Sequence, residues 1–227
     1  MSQPFTIGSG ITLGAGIDIS VPPVLMLSLD AAGYTSGPWI DTVSSRSFTL
    51  NGGVTYNSGN GGSLVFDPNL SQCAVCSSSL PNLDKWSVEV WHYYAGTNTG
   101  GSPCIVTETF AGAGINYTLG SIASGLDAGW YNGGQWIYTS DSYSLTPGNW
   151  YQIVGTYDGT FPKLYVNNTL IATGITSGGS AYSSGYGIRL MERWDSADYW
   201  GGNLAIVKIY QGALNAGLVD ASWNIAL

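Results

Sequence analysis

The 227-residue sequence predicts an all-β protein. Short apolar runs alternate with polar residues, clusters of turn residues separate the runs, and only one stretch near the C-terminus has room for a helix. Composition agrees. There are 33 glycines and 13% aromatics, but only 9% charged residues. Globular chains usually carry roughly 7% glycine and 25% charge, so this one is rich in tight turns and the opposite of disordered. Its length suits one large β domain with a short appendage better than two small domains.

Residues 1–20 read apart from the rest. Thr6-Ile7-Gly8-Ser9-Gly10-Ile11 is followed by Thr12-Leu13-Gly14-Ala15-Gly16-Ile17, an internal repeat. Its apolar set is Phe5, Ile7, Ile11, Leu13, Ile17 and Ile19, spaced mostly by glycine and small polar residues. Strand-like alternation with so much glycine cannot build its own core. It gains most by adding to another sheet's edge or lying in a groove. A docking arm is therefore expected over residues 1–23, with Val21-Pro22-Pro23 as a stiff spacer, and a sandwich over 24–227.

From Val24 strand follows strand. Val24–Asp30 opens the series, and Arg46–Leu50 runs into Asn51-Gly52-Gly53, which reads as a hairpin turn to Val54–Tyr56. Ser63–Phe66 follows. In Trp86–Trp91 alternation sends Trp86, Val88 and Val90 one way and Glu89 the other. Cys104–Thr107 and Ile115–Leu119 come next. Gly129-Trp130 and Trp136–Tyr138 flank Asn132-Gly133-Gly134 as a second hairpin. Trp150–Tyr157 is a strong strand ended by Asp158-Gly159, with Lys163–Val166 pairing back across the turn. Asn203–Tyr210 is the last long strand, and 212–225 holds the one short helix. About a dozen short strands with turns between them make a β-sandwich or barrel.

The stretch from Gly148 through Trp150 to Tyr157-Asp158-Gly159, followed by Lys163-Leu164-Tyr165-Val166-Asn167, resembles the tryptophan-to-LYVNG hairpin of the concanavalin A-like lectin/glucanase superfamily, in its laminin G-like branch. Asn168 stands where that family usually has glycine. Trp86–Trp91 resembles the family's F-T-I-E-x-W strand, and Tyr199–Tyr210 with Ala213-Leu214 resembles its closing strand. The resemblance, from about Val24 to Asn224, implies a jelly-roll β-sandwich of two antiparallel sheets. Trp150 and Tyr157 are expected to fill inter-sheet space, where large rigid side chains contribute most by burial. The amino-terminal repeat is similar to glycine-rich openings on structural proteins of tailed bacteriophages, which implies a virion location.

Charge and motif chemistry narrow the function. The net charge is −8, and the six basic residues, Arg46, Lys85, Lys163, Arg189, Arg193 and Lys208, are scattered. No nucleic-acid partner is expected, since nothing forms a phosphate-tracking stripe. No apolar run approaches ~18 residues, so no membrane span is expected, and the first residues lack the pattern of a secretion signal. Cys73, Cys76, Cys104 and His92 nominally complete a zinc set, but buried free thiols are the expected state. Glu192, Asp195 and Asp198 are calcium candidates, with Arg189 and Arg193 interspersed as ion-pair partners. No cofactor is expected. Retaining glycosidases need two carboxyls about 5–5.5 Å apart, and the glucanase branch carries them on one strand. Here that strand holds Glu89 alone, and Glu108 has no placed partner. A non-catalytic protein is therefore expected. Trp130, Tyr131, Trp136, Trp194, Tyr199 and Trp200 lie near loops and are the candidate sugar-stacking residues. Together these features point to a structural protein of a phage virion, a capsid decoration or cement protein held by its arm and displaying a lectin-like sandwich. Its partners are other capsid or tail proteins, a cell-surface glycan and further copies of itself. The alternatives are a carbohydrate-binding module of a tail fibre and, behind it, a glycoside hydrolase.

Overall fold

The computed structural model describes residues 6–7, 11–12, 22–81, 83–110, 114–122, 125–131, 136–139, 143–174 and 185–223. In chain order the strands are β1 (Thr6–Ile7), β2 (Ile11–Thr12), β3 (Val24–Asp30), β4 (Trp39–Ile40), β5 (Ser47–Asn51), β6 (Thr55–Asn57), β7 (Ser63–Phe66), β8 (Cys73–Cys76), β9 (Trp86–Asn98), β10 (Cys104–Phe110), β11 (Gly114–Ile122), β12 (Gly125–Tyr131), β13 (Trp136–Tyr138), β14 (Asn149–Tyr157), β15 (Pro162–Val166), β16 (Thr169–Thr173), β17 (Gly185–Leu190) and β18 (Trp200–Gln211). Helix α1 (Ala216–Trp223) follows. One sheet has the order β16-β15-β14-β9-β18-β7-β6, with β3 also paired to β18, and the facing sheet runs β13-β12-β11-β10-β17-β8-β5-β4. All pairings inside both sheets are antiparallel. The fold is the expected two-sheet antiparallel sandwich with one short helix.

Period-2 alternation builds the core. Trp86, Val88 and Val90 of β9 point inward beside Val207 and Ile209 of β18 and Ile153 and Tyr157 of β14. They meet Val106, Tyr117, Leu119, Ala128 and Trp130 of the facing sheet. Trp86, Trp130 and Tyr157 form an aromatic knot: Trp86 and Trp130 meet edge-on at 6.3 Å, and Trp130 lies 4.0 Å from Tyr157. Gly155 shows how tight the packing is. A Cβ there would come within 2.6 Å of Ala128 Cβ, so the inward position of this strand tolerates no side chain.

Three expectations change. Trp150 is not between the sheets: β14 alternation places it on the outer face, half-buried, with its ring 5.7 Å from Tyr93. Positions 150 and 157 differ in parity, so one strand cannot send both inward, and Tyr157 is the one in the core. Asn51-Gly52-Gly53 is not a hairpin. β5 pairs with β4 and β8 in one sheet, whereas β6 pairs with β7 in the other, so the two glycines at φ 76° and 82° turn the chain across the sandwich. Finally, β4, β8, β16 and β17 are strands in addition to those the sequence predicts.

Of the amino-terminal repeat, Thr6 pairs with Thr12 and Ile7 with Ile11, in a sheet of their own. Phe5, Leu13, Ile17 and Ile19 lie outside the described residues. Pro23 packs against Gly212 at the end of β18, where an added Cβ would meet it at 3.1 Å.

Candidate functional site

The outer face of the first sheet is built from four strands that are distant in sequence. Alternation that buries Leu27 and Leu29 turns Ser28 and Asp30 of β3 outward. In β18 it turns Ile206, Lys208 and Tyr210 outward. In β9 and β14 it turns Trp91 and Trp150 toward the same side. An irregularity between Leu204 and Ile206 resets the β18 register, so that Ile206 sits opposite both Trp91 and Asp30.

Helix α1 covers part of this face. Leu214 and Val219 bury against Val154 and Tyr165, with Tyr210 beside them. Beneath lies a polar core. Glu89 is fully buried and accepts from Gln152 Nε2 at 2.9 Å and from the Tyr210 hydroxyl at 3.2 Å, while Gln152 Nε2 also donates to Ser222 Oγ at 2.8 Å. Burial and the Glu89 carboxylate together push the Tyr210 phenol up. The uncovered remainder is a groove of about 590 Å³. Trp91, only 2% exposed, forms its floor; Trp150, Lys208 and Tyr210, all half-buried, line it; Ser28, Asp30 and Asn60 bring polar groups to it. The arrangement offers aromatic faces, hydroxyl-binding groups and one cation in a single concavity.

The aromatic residues singled out from the sequence do not converge there. Trp130 is 1% exposed and Trp200 3%, so both belong to the interior. This corrects their placement near loops as ligand platforms. Trp200 Nε1 donates to His92 Nε2 at 2.9 Å, and His92 Nδ1 lies 3.0 Å from the Asn203 carbonyl. The neutral imidazole thus donates through Nδ1 and accepts through Nε2. Burial pushes it down to about 4. Tyr131 and Trp136 pair across the β12–β13 hairpin, 5.4 Å apart, with Trp136 38% exposed. Trp194 lies 5.9 Å below Arg193 in the loop before β18, and Tyr199 is half-buried nearby. These are two separate clusters, away from the groove.

The other candidate chemistry is accounted for by local bonds. Arg189 of β17 pairs with Glu192 at 2.5 Å, and in the loop after β17 Arg193 pairs with Asp195 at 2.6 Å and Asp198 at 2.8 Å. Each calcium-candidate carboxylate therefore faces a guanidinium. Cys73 and Cys76 lie on one strand at i and i+3, so they point to opposite faces and cannot share a metal. Burial pushes Cys73 up to about 11 and Cys104 up to about 12, which leaves both as unreactive thiols. No cluster of three or more metal-ligating side chains occurs among the described residues. Glu108 is fully buried on the inward face of β10, where its Oε1 accepts the Leu80 N–H at 2.7 Å. Glu89 and Glu108 thus sit on different sheets, with the inward side chains of β9 and its neighbours between them.

Sequence reading missed Trp91, Trp150, Lys208, Tyr210 and Asp30 as site residues. The available signal was parity: each has the opposite parity to the nearest residues that its strand sends into the core between the sheets, Leu29, Val90, Tyr151, Val207 and Ile209.

The family model described as the concanavalin A-like lectin/glucanases superfamily matches residues 67–219. No curated protein matches the sequence. Among solved structures, domain 4 of AbnA, a GH43 extracellular arabinanase from Geobacillus stearothermophilus in complex with arabinotriose, superposes with a TM-score of 0.70 at 16% identity, over 90% of this chain and 99% of that one. The binding domain of botulinum neurotoxin DC in complex with SialylT gives 0.65 at 15% identity, over 89% of this chain and 52% of that one. The binding domain of Paraclostridial Mosquitocidal Protein 1 gives 0.64 at 17%, over 88% and 52%. The chain therefore spans about half of the toxin binding domains, and at these identities the likeness is one of fold. The family match covers well over half of the sequence, and the chain belongs to the concanavalin A-like lectin/glucanase superfamily.

Proposed function

We propose that this chain is a non-catalytic glycan-recognition module that holds its ligand in the groove beside α1. The observation that carries this reading is the convergence of Trp150 and Tyr210 with Ser28, Asp30 and Asn60 in one concavity, over a floor to which the buried Trp91 contributes. Flat aromatic faces suit the apolar faces of pyranose rings, and the polar groups suit their hydroxyls. A volume of about 590 Å³ falls inside the range of roughly 300–1,000 Å³ typical of small-ligand sites. The neighbours solved with arabinotriose and with SialylT give the same sandwich a precedent beside saccharide ligands. Catalysis is not part of the proposal. Asp30 is the one carboxylate lining the groove among the described residues, whereas glycoside hydrolysis uses a facing pair roughly 5–10 Å apart.

A glycan array probed with the full chain and with Trp150→Ala tests this. Binding that falls at least about tenfold in the variant, at an unchanged melting temperature, supports the reading. Binding unaffected by Trp150→Ala places the ligand elsewhere.

A second reading concerns where the module works. We infer that residues 1–23 hold it on a virion, as a decoration protein on the capsid or tail. The observation favouring this is that, among the described residues, β1 and β2 pair with each other and with no strand of the sandwich.

A further inference from the structure

The groove contains a cation with no partner of its own, and that decides which glycans it suits. Four of the six basic residues are committed to acids: Arg46 to Asp41, Lys163 to Asp158, Arg189 to Glu192, and Arg193 to Asp195 and Asp198. Lys85 is exposed, outside the groove. Lys208 is different. It is half-buried in the groove lining, and its ammonium makes no ion pair or hydrogen bond among the described residues. Its register neighbours are Ser28 on β3 and Glu89 on β9. Glu89 would be the natural counter-ion, but its two oxygens accept from Gln152 and Tyr210, and α1 covers it. Asp30, one row away opposite Ile206, turns Oδ1 back to the Ala32 backbone N–H at 2.8 Å.

We propose that the groove selects acidic saccharides, with Lys208 as the residue that binds the ligand's carboxylate or sulfate. This deepens, and rests on, the reading of the groove as a glycan site. An ammonium is a compact point charge without the fixed fork of a guanidinium, so it takes either anion. Half-burial on β18 with Ile206 and Tyr210 to either side on the same face reduces screening relative to an open surface and makes one charge count. In a chain of net charge −8, an anionic ligand is repelled by the molecule as a whole and needs such a local cation to bind.

The test is an array on which sialylated, uronate-containing and sulfated glycans each stand beside a neutral counterpart, respectively desialylated, carboxyl-methylated and desulfated. The full chain is compared with Lys208→Met, Lys208→Gln, Lys208→Arg and Trp150→Ala. The wild type is expected to prefer the acidic member of at least one pair by roughly tenfold. Lys208→Met and Lys208→Gln should erase that preference and leave neutral binding intact, Lys208→Arg should keep it, and Trp150→Ala should weaken both members alike. The carboxylated and sulfated arms show which anion is read. Equal binding of both members by the wild type, or a preference that survives in Lys208→Gln, overturns this inference and leaves the glycan site standing. Binding to no glycan overturns both.

Discussion

Trp150 and Trp130 are the same residue type in neighbouring parts of the sandwich, yet they do opposite work. Trp130 is interleaved with Trp86 and Tyr157 between the sheets, so Trp130→Ala should cost about 3–5 kcal/mol through lost burial and a cavity. Trp150 rests half-buried on the outer face, and Trp150→Ala should change stability by only about 1 kcal/mol or less. Chemical denaturation of the two variants distinguishes them, and equal losses would return Trp150 to the core. His92 carries a second residue-scale prediction. Burial lowers its folded-state value from 6.5 to about 4, so between those pH values the unfolded chain binds the extra proton. Stability is fully present above pH 6.5 and is lost as pH falls toward 4, by up to about 3 kcal/mol. Asp41, Asp158 and Asp195 are shifted below the ordinary carboxylate value of 3.8, so their contributions are lost only under more acid conditions. Denaturant midpoints between pH 7 and 4.5 should fall for the wild type and stay nearly flat for His92→Gln.

At the scale of elements, the long strands were legible and the joints between sheets were not. β9, β14 and β18 declare themselves through alternation because one face of each meets a dense core. β8 does not: Cys73-Ala74-Val75-Cys76 invites a metal reading, although a strand sends its two thiols to opposite faces. Asn51-Gly52-Gly53 has hairpin chemistry, but nothing local states that the chain after it joins the opposite sheet. Asn168 is a readable departure with a structural consequence. It occupies a left-handed position at φ 62° in the β15–β16 turn, where glycine fits without strain, and its Nδ2 donates to Asp220 of α1 at 2.6 Å. Asparagine therefore accepts the turn conformation and also ties down the helix that borders the groove. Asn168→Gly should cost about 1 kcal/mol, the net worth of one hydrogen bond. Asn168→Ala should cost about 2–3 kcal/mol, since it adds left-handed strain to the same loss. If the two variants melt together, the turn strain rather than the helix tie has been misjudged.

At the scale of the whole molecule, the groove could not be read from the sequence, because no segment contains it. Asp30, Trp91, Trp150 and Lys208 come from four strands and share a face only after β18 has paired with both β3 and β9. Aromatics near loops are the natural sequence signal for a sugar site, whereas this groove draws on residues within strands. The proposed docking role of the amino-terminal repeat, whose described residues Thr6–Ile7 and Ile11–Thr12 pair with each other, is tested by deletion. Removing residues 1–20 should leave the sandwich folded and abolish co-sedimentation with undecorated particles. Equal sedimentation of both proteins would assign attachment to the sandwich itself, and a truncated chain that fails to fold would place the segment in the core. The glycan site is tested most directly by following the indole N–H signals of the nine tryptophans by NMR as an array-selected glycan is titrated in. Trp91 and Trp150 should shift together and saturably, while Trp136 and Trp194 stay fixed. Saturable shifts at Trp136 or Trp194, with Trp91 and Trp150 unmoved, would contradict the groove as the binding site.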